Sequence, residues 1–69
     1  MSNEPVVTVS KRGAGRIQSG HPWVYRDDVA ADGIEAGSVV GVLGPRGRFL
    51  GRAFYSDRST IALRLLTRQ

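Results

Sequence analysis

The chain has 69 residues, no cysteine, one histidine and a formal net charge of +4. That is at most one domain, burying about 60% of its unfolded surface, and it excludes disulfides, thiolate metal sites and a structural zinc centre. The polar start has no apolar signal core and the apolar runs are only a few residues long, so a cytoplasmic chain with no membrane partner and no metal is expected.

In chain order, residues 1–5 read as a disordered lead-in. Val6, Val7 and Val9 form a β-branched run that predicts a first strand. Residues 10–15 carry two glycines in three positions and read as a loop, followed by one helical turn over 16–19. Gly20 suits the left-handed residue that ends a helix. Pro22 fixes its own φ and pushes His21 out of helical geometry, so the chain turns before an extended Trp23-Val24-Tyr25. Tryptophan offers the largest apolar area of any side chain. Gly20, Pro22, Trp23 and Tyr25 are therefore expected to act as a structural anchor, with Trp23 in the core. Residues 27–35 are acidic and turn-rich.

The second half is more regular. Residues 38–43 predict a strand, and Gly44-Pro45-Arg46-Gly47 a tight turn. Residues 48–55 predict the returning strand, with Phe49, Gly51, Ala53 and Tyr55 on one face and Leu50, Arg52 and Phe54 on the other. Residues 60–66 alternate, placing Ile61, Leu63 and Leu65 inward and Arg64 outward. Three such strands make a meander that must close or be capped to protect its edges. The fold class expected is mainly β: a small, partly open pseudo-barrel with a short helix near the N-terminus.

No catalytic constellation is present. His21 has no cysteine to pair with, and Ser10 and Ser19 lack a G-x-S-x-G context. Gln18 stands where a dinucleotide fingerprint needs its third glycine. Nine arginines and one lysine form two basic stretches, Lys11, Arg12, Arg16 and Arg26 before the acidic segment and Arg46, Arg48, Arg52, Arg58, Arg64 and Arg68 after it. A phosphate-backbone partner accounts for this charge, as does an arginine-rich solvated surface. Lys11, Arg12 and Arg16 flank a glycine-rich loop, and Arg46 and Arg48 sit at a hairpin tip within reach of RNA. His21 stands as either a structural residue before proline or a phosphate contact. The aromatics could stack bases, with core burial the stronger role for Trp23.

The run Lys11-Arg12, Arg16-Ile17, Gly20-His21-Pro22-Trp23-Val24-Tyr25 resembles the N-terminal signature of a family of S-adenosylmethionine (SAM)-dependent methyltransferases that make 5-methylcytosine in 23S ribosomal RNA. The segments Gly47-Arg48-Phe49-Leu50-Gly51-Arg52-Ala53-Phe54-Tyr55 and Arg64-Leu65-Leu66-Thr67-Arg68 are similar to the remainder of that module. The resemblance implies a PUA domain over residues 6–68, a small β-rich pseudo-barrel that contacts RNA. It further implies ribosomal RNA and a C-terminal methyltransferase domain as partners, with SAM bound in that parent domain. No cofactor and no catalysis are assigned to this chain itself. Its implied role is rRNA recognition during rRNA processing, with Lys11, Arg12, Arg16, His21, Arg46 and Arg48 as the RNA-binding residues. The alternative is a docking module packed against its own catalytic domain, with no RNA affinity of its own.

Overall fold

Alternating apolar and polar residues build a six-stranded sheet in the computed structural model, which describes residues 4–31, 33–58 and 60–68. In chain order the elements are β1 (Val6–Val9), α1 (Lys11–Gln18), β2 (Trp23–Tyr25), β3 (Val29–Ala30), β4 (Val39–Leu43), β5 (Phe49–Tyr55) and β6 (Ile61–Arg68). Short 3-10 turns occupy Arg26–Asp28 and Pro45–Gly47. Across the sheet the order is β2-β6-β5-β4-β1-β3. The expected meander β4-β5-β6 is antiparallel. β1 joins it parallel to β4, and β3 and β2 close the two edges against β1 and β6. Both edge strands are only two or three residues long, which limits strand addition from outside. The sheet curls into a half-barrel. Its concave side is filled by Val7, Val9, Val24, Val40, Val42 and Leu63, with Ile17 of α1 packed among them.

Residues 10–15 are not the loop their glycines predict. Ser10 is extended (φ −68°, ψ 169°), and its hydroxyl accepts the Gly13 N–H at 3.0 Å, capping a helix that runs on to Gln18. Gly13 is there for proximity. A Cβ at that position would stand 3.2 Å from the Cβ atoms of Val9 and Asp28 and 3.3 Å from Val24 Cγ1. The helix does end as expected. Gly20 has φ +99°, its N–H reaches the Ile17 carbonyl at 3.1 Å, and the His21 N–H reaches the Arg16 carbonyl at 3.0 Å.

Trp23 is not in the core, and the anchoring expected of it and of Tyr25 falls to Val24. A three-residue strand presents one side chain to the core, and the narrow gap between β2 and α1 admits a valine rather than an indole. Trp23 and Tyr25 face outward instead. The face assignment of β5 also needs correction at its start. Val42 pairs with Gly51 and Leu43 with Phe49, so Leu50 has no opposite residue on β4. This bulge turns Leu50 into the core and Phe49 out. From Gly51 onward the expected alternation holds, with Arg52 and Phe54 together on the outer face. Glu4 and Pro5, expected in the lead-in, are tied to the sheet. The Pro5 carbonyl accepts the Gly41 N–H at 2.9 Å, and the Glu4 carboxylate pairs with Arg52. Residues 1–3 of that lead-in and Asp32 of the acidic segment lie outside the described residues.

Candidate nucleic-acid interface

Helix periodicity splits the cations of α1 between two faces. Lys11, Gly15 and Gln18 fall on the side that meets the β4–β5 turn. There Lys11 and Arg48 line one cleft of about 290 Å³, whose walls include Ala14, Pro45 and Leu50. Two cations over a partly apolar hollow suit a phosphate together with a sugar or base edge. Arg46 is exposed at the tip of the same turn, in the left-handed region at φ +69°.

The other face points toward Asp28 and β2. Arg12 is turned away from the cleft, its Nε donating to Asp28 Oδ1 at 3.1 Å and to Oδ2 at 3.3 Å. Asp28 is only 5% exposed and also accepts the Ser10 hydroxyl at 2.8 Å. These contacts hold its carboxyl below the usual carboxylate range. The Ser10 bond contributes most, Arg12 and the charge of Arg16 add to it, and burial opposes it. Arg16 is half-buried, with its guanidinium 5.5 Å from the centre of the Tyr25 ring. His21 is exposed just past the helix end.

The six expected RNA-contacting residues therefore do not form a single patch. Lys11 and Arg48 share a cleft with Arg46 at its rim, whereas Arg12 and Arg16 serve Asp28 and Tyr25.

A PUA-like domain profile matches residues 7–68 of the chain. The chain belongs to the PUA-like domain family. Among solved structures, NSun6 from Pyrococcus horikoshii, determined with SFG, matches 94% of this PUA-like domain at 25% identity and a TM-score of 0.70. The match takes in 19% of the NSun6 chain, so the PUA-like domain spans about a fifth of that relative's length. No curated protein matches.

Sequence reasoning missed Asp28 and Arg64 as organising residues of this PUA-like domain. Asp28 reads as one of four acids in the segment 27–35, yet it ties the N-terminus of α1 to the turn after β2. Its only signal is Ser10, a hydroxyl immediately ahead of a basic run. Arg64 is legible as outward-facing. Its position opposite Trp23, with Cζ 5.8 Å from the indole centre, follows from a pairing across 41 residues that no local pattern reveals.

Proposed function

We propose that this PUA-like domain recognises ribosomal RNA for a SAM-dependent cytosine-C5 methyltransferase domain of the same polypeptide, in the cytoplasm. The observation that carries the reading is the cleft where Lys11 and Arg48 converge from separate elements onto apolar walls. The net charge of +4 supports it, because phosphate neutralisation dominates RNA affinity. The similarity of residues 11–25 to the methyltransferase signature and the likeness to NSun6 support the parent enzyme. The SAM analogue SFG in that structure supports SAM as the parent's cofactor.

Filter binding to structured ribosomal RNA fragments over a range of salt tests the proposal. Affinity is expected to fall steeply with salt, and Lys11→Ala and Arg48→Ala are each expected to flatten the log–log slope by about one unit. Arg12→Ala is expected to change the slope less, because Arg12 is already committed to Asp28. Salt-insensitive binding, or none at low salt, overturns the reading. A docking role draws on the exposed Val6, Phe49, Phe54 and Leu66 of the sheet. It expects no such binding, so the same titration decides between the two.

A further inference from the structure

β2 is an edge strand whose two outward residues are the chain's only tryptophan and one of its two tyrosines. Trp23 is 43% exposed and Tyr25 42%, in a domain with little apolar mass to spare. Each ring is accompanied by a guanidinium. Arg64 Cζ lies 5.8 Å from the Trp23 ring and Arg16 Cζ 5.5 Å from that of Tyr25, both inside the range of about 6 Å for cation–π attraction. The register extends the arrangement, since Arg64 sits opposite Trp23 on one side and Phe54 on the other, giving ring, cation, ring across three strands. Arg64 is exposed and makes no ion pair among the described residues. The Nε of Arg16 is buried and without a hydrogen-bond partner there.

We infer that the outer side of β2 is a stacking ledge for unpaired nucleotides, with bases on Trp23 and Tyr25 and phosphates against Arg64 and Arg16. The inference rests on the RNA reading above and gives it a second surface, separate from the Lys11–Arg48 cleft. A nucleotide supplies both of the groups this surface can use, a flat π-face and a phosphate oxygen. A protein partner would have to bury two guanidinium groups beside the rings and match each with a carboxylate. The arrangement favours RNA.

Because Trp23 is the only tryptophan, its fluorescence reports directly on the ledge. The chain is titrated with single-stranded oligoadenylate of about 12 nucleotides and with an RNA hairpin. Oligoadenylate is expected to quench the emission. Trp23→Leu is expected to weaken its binding by about 5- to 150-fold, the worth of one stacked base, with the salt slope and the circular dichroism unchanged. Tyr25→Leu gives the same reading if the first variant fails to fold. Undiminished oligoadenylate affinity in the folded variants overturns the ledge. So does a loss of self-association in sedimentation with RNA affinity intact, which would make β2 a protein contact. If structured RNA binds with a slope dependent on Lys11 and Arg48 while Trp23 emission stays constant, the ledge alone falls. If no RNA binds at all, the RNA reading falls with it.

Discussion

Asp28 shows how one side chain can organise the helix start of a basic domain. It accepts from Ser10 and Arg12, and the Ser10 backbone N–H donates to the Asp28 carbonyl at 2.8 Å, so the helix start and the turn after β2 are bonded through both main chain and side chain. Its lowered pKa means that the folded state favours the charged carboxylate. The stability it supplies is fully present above the unfolded carboxylate value of about 4 and is lost as pH falls through the lower folded value. The melting temperature of the wild-type chain is therefore expected to exceed that of Asp28→Asn at neutral pH, with the gap narrowing as pH drops below about 4. A gap that stays constant down to pH 2 would show that the ion pair is not its source. Nothing in an acidic run of four marks Asp28 as the buried one, because that distinction is made by Ser10, eighteen positions away.

At the scale of the element, α1 carries two glycines with opposite meanings. Gly15 has nothing within 4 Å of where a Cβ would stand, while Gly13 is hemmed in by two Cβ atoms that cannot yield without backbone movement. Gly15→Ala is expected to stabilise the domain by about 0.5–1 kcal/mol through helix propensity. Gly13→Ala is expected to destabilise it by about 1–3 kcal/mol through overpacking, despite the same propensity gain. Urea unfolding of both variants reads the difference in sign, and a matching gain at Gly13 would refute the packing account. The helix is hidden in the sequence for the same reason. Two glycines among eight residues signal a loop on propensity alone, and the benefit of Gly13 appears only once Val9, Val24 and Asp28 surround it. Strands were easier to read. The latter part of β5 follows period-two alternation, whereas the bulge at Leu50 adds one unpaired residue and reverses the phase before it.

For the whole molecule, the meander and the helix end were legible, and so was the cleft in part, because Lys11 and Arg48 both stood out as cations beside turns. Their convergence, like the parallel β1–β4 pairing and the outward turn of Trp23, depends on contacts between residues far apart in sequence. The core those contacts create is small. Leu63 is fully buried between Val24 and Tyr55, joining β2 to the meander. Leu63→Ala is expected to cost about 2–5 kcal/mol, a large share of the 5–15 kcal/mol typical of a whole domain. Thermal melting of this variant is expected to lose its cooperative transition near physiological temperature, and an unaltered melt would mean that β2 is held mainly by its backbone ladder.

The pairing of β2 with β6 also sets a timetable for synthesis. Among the described residues β2 has no other strand to pair with, and β6 is the last of the six strands in chain order. Until residues 61–68 clear the ribosomal exit tunnel, Val24 has no cross-strand partner and β2 stays outside the sheet that β1, β3, β4 and β5 can already form. The signature stretch is made early and becomes native late, in one step with the closing strand.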